Sequence, residues 1–360
     1  MNVKPLKIGI IGGGQLGMFL AQSANKLNIQ PYIYSNTKDA PAKKYALKMF
    51  YGDFNDESKL SKFIDKVDLL TYEFENISIN SLQKLGKDKN IYPPLKALSI
   101  TQDRKKEKEF FSKYDINHAK TYSVKTEKEI LKIKSKIKYP AIIKTSRFGY
   151  DGKGQIVINS LNELRTAWIK LNKKPCVIEE KINLKKELSI VMAQDKSKNI
   201  KIFPSFRNIH KNHVLHKTYT PSGINMKLEN RLIEISTTIM KHLKYVGVLT
   251  IEFFIDNYDK IYVNELAPRV HNSGHITLNT FNFSQFDLHM IAVAGRNLPN
   301  LIRLNDGLML NLIGNDIKLS RSIKNSDSFS KYKKVKSYLY GKKQINYGRK
   351  MGHMNFYEKK

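Results

Sequence analysis

The sequence contains one cysteine and no long hydrophobic segment. Cys176 alone excludes an internal disulfide and a metal site built from several cysteines. No apolar run approaches the roughly 20 residues that a membrane-spanning helix needs. The N-terminal apolar stretch, residues 8–11, is short and is interrupted by glycine, so it lacks the form of a signal peptide or an anchor. These absences predict a cytoplasmic protein without membrane contact.

Acidic residues are scarce, with 32 Asp and Glu against 63 Lys and Arg, which gives a net charge of +31. This charge is typical of proteins that bind arbitrary DNA in a steeply salt-dependent manner. Here, however, the lysines are dispersed through nearly every segment and form no basic arm. We therefore interpret the excess as a bias of exposed faces and predict no nucleic-acid partner, although part of it can attract anionic substrates.

A glycine-rich turn follows the first predicted strand, residues 6–11. Its glycines, Gly12, Gly14 and Gly17, precede a helical pattern, so backbone N–H groups at the helix N-terminus can bind an anion. A nicotinamide dinucleotide site also needs an acid at the end of the second strand, and that strand ends in Ser35-Asn36-Thr37. The missing acid opposes a nicotinamide-dependent dehydrogenase.

Glu73 directly follows another predicted strand, residues 67–72. An acid at the carboxyl end of a strand in an open α/β sheet lies where ligands bind. The sequence leaves a second interpretation open, in which Glu73 is an acid at the N-terminus of a helix.

Lys144 ends an otherwise apolar strand, where its charge needs an anion, and a glycine-dense loop follows at Gly149–Gln155. Such a loop can close over phosphates and exclude water. It lacks the Walker spacing. A plain hairpin turn is the alternative, but Lys144 favours phosphate binding. Two further strands follow at 176–182 and 187–192. Their polar edge and nearby acid could bind the base and the ribose of a nucleoside, but the sequence supports this interpretation only weakly.

The most informative stretch is a strand pair followed by a polar loop. The β-branched run 247–255 and the alternating run at 261–263 flank a turn, so they should form a hairpin that brings Glu252 and Glu265 nearly opposite each other. Opposed residues lie roughly 5 Å apart. Two carboxylates at that distance repel unless a cation lies between them, which predicts Mg²⁺ bound with phosphate oxygens. Alternatively, Glu265 pairs with its own loop or with Arg269.

These motifs, in this order, resemble the N5-carboxyaminoimidazole ribonucleotide synthetases, a family of ATP-grasp enzymes. The resemblance rests on GGGQLG, TYEFEN, QDR, GYDGKGQ, VIEE, GVLTIEFF, NELAPRVHNSGH, SQFDLH and GRKMGH, which span nearly the whole chain. It implies an α/β and α+β protein with a Rossmann-like pre-ATP-grasp domain (1–100), an ATP-grasp domain (101–295) and a small C-terminal domain (296–360).

The resemblance also implies the reaction. ATP, Mg²⁺ and bicarbonate form carboxyphosphate, which carboxylates 5-aminoimidazole ribonucleotide in purine biosynthesis, and a homodimer is the expected assembly. The alternative is another ATP-grasp enzyme, such as the formate-dependent glycinamide ribonucleotide transformylase.

The site residues follow from the same resemblance. Those implied for ATP are Arg104, Lys144, Gly149, Tyr150, Asp151, Gly152, Lys153, Gly154, Gln155, Glu179, Glu180, Lys181, Ile182, Glu187, His210, Asn264 and Glu265. Glu252 and Glu265 are implied as the metal ligands. Those implied for bicarbonate and catalysis are Arg269, His271, Asn272 and Tyr150. Those implied for the aminoimidazole ribonucleotide are Gln15, Glu73, Lys342, Arg349 and Lys350, although Arg349 and Lys350 can equally be two more cations of a basic tail.

Overall fold

A computed structural model describes residues 4–147, 149, 154–324 and 326–359. The N-terminal part is a parallel sheet with strand order β3-β2-β1-β4-β5. Its strands are β1 (Lys7–Ile11), β2 (Gln30–Ser35), β3 (Lys48–Tyr51), β4 (Leu69–Tyr72) and β5 (Asn90–Ile91), and its helices are α1 (Gln15–Lys26), α2 (Glu57–Ile64), α3 (Ile79–Leu85) and α4 (Leu95–Thr101). The strand order reverses between β1 and β4, so their carboxyl ends open into one crevice.

A small lobe follows, made of a four-stranded antiparallel sheet with order β6-β9-β7-β8. Its elements, together with the helix α5 that precedes it, are α5 (Arg104–Lys113), β6 (Thr121–Val124), α6 (Glu127–Ile133), β7 (Ala141–Thr145), β8 (Gln155–Ile158), α7 (Leu161–Lys170) and β9 (Cys176–Glu180). Ile143 and Ile178 on the sheet pack with Trp168 on α7, and all three are buried. This separate core makes the lobe a packing unit of its own.

The remaining strands form one nine-stranded sheet with order β15-β14-β10-β12-β13-β16-β18-β17, and β11 pairs with β10. The strands are β10 (Leu184–Gln194), β11 (Ile200–Ile202), β12 (Phe206–Lys211), β13 (Val214–Thr220), β14 (Gly247–Asp256), β15 (Ile261–Ala267), β16 (Gly307–Ile313), β17 (Tyr332–Leu339) and β18 (Lys350–Lys359). The helices in this part are α8 (Met226–Leu243), α9 (Thr277–Thr280), α10 (Gln285–Val293) and α11 (Ser320–Lys324). Because β16 pairs with β13, the C-terminal strands continue the central sheet.

The hairpin expected from the sequence is confirmed, with Glu252 directly paired to Glu265. Just beyond this pair the register shifts, since Phe253 pairs with Val263. The strand β15 therefore carries one extra residue, Asn264, in a β-bulge.

The helix α10 joins the N-terminal sheet to the large sheet. All nine of its residues are buried, and its N-terminal Ser284 and Asp287 form a capping box. The Asp287 carboxylate also accepts a hydrogen bond of 2.7 Å from Ser23 on α1. Burial alone would raise the pKa of Asp287, but the hydrogen bonds from Ser23 and Ser284 lower it. No helix in the described part of the chain is long and apolar enough to cross a membrane.

Candidate active site

A cleft of about 630 Å³ lies between the N-terminal sheet, the small lobe and the large sheet. Most residues expected at a site line it: Gln15, Glu73, Arg104, Lys144, Gly149, Gln155, Glu179, Glu180, Ile182, Glu187, His210, Glu252, Asn264, Glu265, Arg269, His271, Asn272 and Lys350. Four others, Tyr150, Asp151, Gly152 and Lys153, lie outside the described residues. The cleft thus gathers residues that are up to 335 positions apart in the sequence, from Gln15 to Lys350.

Lys144 on β7 points into the cleft from the small lobe. Its ammonium contacts the Glu179 carboxylate on the neighbouring strand β9 at 2.5 Å, and that carboxylate is only 5% exposed. Burial would raise the pKa of Glu179, but the charges of Lys144 and Lys108 lower it to about 2. Glu179 therefore carries its charge at neutral pH and fixes the position of Lys144.

Arg104 at the start of α5 contacts the same lobe. Its guanidinium donates to the carbonyl oxygens of Thr145 at 3.2 Å and of Gly149 at 3.4 Å. Its backbone N–H donates to the Ser146 carbonyl oxygen at 2.9 Å. Arg104 and Lys144 therefore bring two cations to the beginning of the glycine-dense loop, an arrangement that suits a polyphosphate.

Glu252 and Glu265 face them from the large sheet. Glu252, 14% exposed, accepts from His271 Nε2 at 3.0 Å. Burial would raise the pKa of Glu252, but the hydrogen bond and charge of His271, with His210 and Arg269, lower it to about 2. No group of three or more His, Cys, Asp or Glu with metal-site geometry occurs among the described residues. On this side of the cleft, Glu252 and Glu265 could bind a cation together, and its further ligands would come from water or phosphate.

The loop after β15 is held from two sides. The Arg269 guanidinium contacts Glu75, which follows β4, at 2.5 Å and donates to the Val270 carbonyl at 3.0 Å. Gln285 on α10 accepts from the His271 N–H at 2.9 Å. The Asn272 side-chain oxygen and Arg269 Nε are both buried, and neither has a hydrogen-bond partner among the described residues. A donor and an acceptor left unsatisfied in a cleft are suited to a small polar ligand.

Glu73 meets both sequence-based interpretations, because it lies at the α1 N-terminus and lines the cleft. Its carboxylate accepts from the N–H groups of Gly14 at 2.5 Å and of Gly17 at 2.7 Å. Burial nevertheless raises its pKa. A side chain at Gly12, whose φ is +116°, would meet the Glu73 Cγ at 2.2 Å, so the turn and the acid fit together only with glycine there.

Two further side-chain contacts lie at the edge of the cleft. Glu187 contacts His210 across the pair β10–β12, and although burial lowers the pKa of His210, Glu187 raises it. Lys342 donates to Gln15 at 2.9 Å and to the Lys350 carbonyl at 2.7 Å. The C-terminal segment thereby contacts the glycine-rich turn.

Four expected residues do not line this cleft. These are Gly154, Lys181, Lys342 and Arg349. Lys181 is exposed, and Arg349 donates to the Gln344 carbonyl at 2.9 Å. Lys342 still reaches the rim through Gln15.

Several residues of the cleft were not predicted from the sequence. Glu75 and Glu107 line it, and Lys108 contacts Glu107 at 3.5 Å and donates to the Asn264 carbonyl oxygen of β15. Glu75 is the second acid of TYEFEN, but the motif does not indicate which residue Glu75 would contact. Glu107 and Lys108 belong to a charged helix, where nothing in the sequence distinguishes them from exposed neighbours.

Family models match three parts of the chain. They are the ribonucleotide synthetase preATP-grasp domain at residues 6–102, the ATP-grasp domain at 109–286 and the phosphoribosylaminoimidazole carboxylase C-terminal domain at 307–360. These matches confirm the fold class expected from the sequence.

Curated relatives are similar over nearly the full length. The N5-carboxyaminoimidazole ribonucleotide synthase of Staphylococcus aureus strain COL is 38% identical over 98% of this chain and 94% of its own. The enzyme of Staphylococcus epidermidis strain RP62A is 37% identical with the same coverage.

Solved structures are also similar to this chain over nearly its full length. The N5-carboxyaminoimidazole synthetase from S. aureus complexed with ADP matches with a TM-score of 0.92 and 36% identity, over 99% of this chain and 95% of that one. The Aspergillus clavatus enzyme in complex with ADP and 5-aminoimidazole ribonucleotide matches with a TM-score of 0.90 and 25% identity, over 99% and 94%.

Proposed function

Because this chain belongs to the N5-carboxyaminoimidazole ribonucleotide synthetase family, we propose that its cleft uses ATP and bicarbonate to carboxylate 5-aminoimidazole ribonucleotide, a step of purine biosynthesis. The observation that carries the proposal is the meeting of three elements in one cleft. They are the cations of the small lobe, the carboxylate pair of the large sheet and the glycine-rich turn after β1. This combination suits phosphoryl transfer next to a phosphorylated acceptor.

The nucleotide would lie between the small lobe and the large sheet. Arg104, Lys144 and the glycine-dense loop at 149–155 would bind its phosphates. Glu180, Lys181 and Ile182 would hold adenine through their backbone, since the Glu179 side chain is engaged with Lys144. Glu187, His210 and Asn264 would complete the nucleotide site. Their positions at the β10–β12 and β14–β15 pairs support this assignment.

Magnesium fits the paired carboxylates. Glu252 and Glu265 are hard oxygen donors at directly opposed positions, and the low pKa of Glu252 keeps its charge available. When bound, the ion neutralises the charge of the ATP phosphates. Glu265→Gln should therefore abolish ATP turnover and leave the fold intact. Wild-type turnover in the folded variant would contradict the metal assignment.

Bicarbonate would bind beside Arg269. A bicarbonate oxygen attacks the γ-phosphorus of ATP, and the bond to ADP breaks, which gives carboxyphosphate. Arg269, His271 and Asn272 would bind this anion, and Tyr150 would face the acceptor. The amine of 5-aminoimidazole ribonucleotide then attacks the carboxyl carbon, inorganic phosphate leaves, and the nitrogen loses a proton. Exclusion of water protects the acyl phosphate meanwhile.

The acceptor would bind at the glycine-rich turn. Gln15 and Glu73 would contact its aminoimidazole ribose portion, and Lys342, Arg349 and Lys350 would surround its 5′-phosphate. The contact of Lys342 with Gln15 and with the Lys350 backbone supports a shared site. A homodimer in the cytoplasm is the assembly that we propose from the family resemblance.

The experiment measures ADP release from Mg-ATP with purified protein under three conditions. They are no addition, bicarbonate plus 5-aminoimidazole ribonucleotide, and formate plus glycinamide ribonucleotide. The proposal predicts stimulation by the bicarbonate pair alone. Stimulation by the formate pair would assign the alternative transformylase reaction, and stimulation by neither would refute the proposed acceptor.

A further inference from the structure

The β-bulge at Asn264 determines which side chains of β15 enter the cleft. In a regular strand, successive side chains point to opposite faces. Val263 packs in the core, so Glu265 would also point to the core and Leu266 to the cleft. The extra residue reverses this order, so Asn264 and Glu265 both face the cleft, whereas Leu266 borders the cleft but is only 5% exposed and packs in the core. Without the bulge, the carboxylate pair would not form.

Two consecutive residues of α5 bind the strand on either side of Glu265. The Lys108 ammonium donates to the Asn264 carbonyl oxygen. The Glu107 carboxylate accepts from the Leu266 N–H at 2.8 Å. The strand β15 is at the edge of the large sheet, and within the described part of the chain its outer side meets only an isolated bridge from His118 to Val263. Glu107 and Lys108 therefore replace a strand partner where the bulge breaks the regular pairing.

The same two residues are buried and are connected to the phosphate side of the cleft. The side chains of Glu107 and Lys108 are 3% and 8% exposed and lie 3.5 Å apart. Lys108 is also 3.7 Å from Glu179, which contacts Lys144 at 2.5 Å. A continuous set of charged contacts thus runs from the backbone around Glu265 to Lys144. Burying two ionisable side chains is costly, and packing alone does not require it.

We propose that Glu107 and Lys108 are positioning residues, which hold the Asn264 bulge so that Glu265 meets Glu252 at the magnesium site and in register with Lys144. This inference rests on the proposed function, because it presumes that the carboxylate pair binds the metal. In this role neither residue needs a contact with substrate, although Glu107 also lines the cleft. They act through the β15 backbone and through Glu179.

The test measures Mn²⁺ binding to the full-length protein saturated with ADP, by the electron paramagnetic resonance signal of free Mn²⁺. Lys108→Met and Glu107→Leu each remove one backbone contact, whereas Lys108→Arg and Glu107→Gln retain a donor or an acceptor. We expect the first two to raise the Mn²⁺ Kd at least about 10-fold, the size typical of groups that orient metal ligands. The second two should stay within about 3-fold of the wild type. Similar Kd values for all four variants would overturn the inference.

A double variant separates positioning from stability. Glu107→Leu with Lys108→Met removes both charges together, so neither of the two leaves the other unpaired, and thermal stability should recover relative to Lys108→Met. The positioning role predicts that the Mn²⁺ Kd stays raised. If Kd recovers together with stability, the two residues are merely structural. Asp287→Ala, a destabilising change at the α1–α10 contact, is the matched control and should leave Kd unchanged.

Glu265→Gln distinguishes a failure of the proposed metal site from a failure of the positioning role alone. If it binds Mn²⁺ as the wild type does, the proposed metal site is wrong, and this inference fails with it. If it loses Mn²⁺ while Lys108→Met and Glu107→Leu keep it, only the positioning role is refuted.

Discussion

Replacing Glu179 by Gln should destabilise the small lobe by about 3 kcal/mol. The pKa of Glu179 falls from an ordinary 4.5 to about 2 in the folded protein. At about 1.4 kcal/mol per pKa unit, this difference corresponds to about 3 kcal/mol. Removing one partner from a buried ion pair typically costs roughly 3–5 kcal/mol, which agrees. The physical reason is that the ammonium groups of Lys144 and Lys108 lose their buried counter-charge.

The single tryptophan provides the assay. Trp168 is 5% exposed in the core of the same lobe, so its fluorescence during urea unfolding reports the loss of packing in that core. The folded pKa of Glu179 is depressed, so its stabilisation is fully present above the unfolded pKa and is lost as pH falls towards about 2. The deficit of Glu179→Gln should be constant from pH 7 to pH 5 and shrink to roughly half by pH 3. A deficit below about 1 kcal/mol at pH 7, or one that does not change with pH, would refute the reasoning.

Three further outcomes are expected. Asp287→Ala should lower the free energy of unfolding by about 1–3 kcal/mol, because Ser23 loses a buried acceptor, and a melting curve unchanged from the wild type would contradict this. Burial lowers the pKa of His275, and it lowers the pKa values of His289 and His353 to about 3, so all three stay neutral in the folded protein. The free energy of unfolding should therefore decline as pH drops below about 6.5. A calorimetric melting temperature that is constant from pH 7 to pH 5 would exclude this. Arg269→Ala should leave ADP affinity within about 2-fold but reduce bicarbonate-stimulated ADP release by about 10²-fold or more, and loss of ADP binding would show that the site is divided differently.

The sequence predicts that Glu252 and Glu265 approach each other because the hairpin that carries them is defined by local patterns. A β-branched run, a turn and an alternating run define the hairpin, and a two-residue side-chain period limits the register. These patterns bring Glu252 and Glu265 close to each other, but their direct opposition also needs the bulge at Asn264. No local pattern marks this bulge, and the backbone on either side of Glu265 is bonded by Glu107 and Lys108, which are more than 150 positions away in sequence.

Other contacts of the site depend on the same long-range packing. The resemblance implied Glu179 as an ATP-binding residue, whereas in the structure its side chain contacts Lys144. The neighbouring strand decides which residue a strand side chain contacts, and the sequence does not specify that neighbour. Likewise, Glu75 pairs with Arg269 only because the N-terminal sheet packs on the central one. Local patterns therefore predict elements and ligands, whereas the contacts that orient them come from tertiary packing.

The most direct test of the account is the fate of bicarbonate oxygen. With ¹⁸O-labelled bicarbonate, ATP and 5-aminoimidazole ribonucleotide, transfer through carboxyphosphate leaves one bicarbonate oxygen on the inorganic phosphate. Mass spectrometry of the phosphate should find one ¹⁸O per turnover in the wild-type protein. Phosphate that carries oxygen from water alone would contradict the central claim that the cleft phosphorylates bicarbonate.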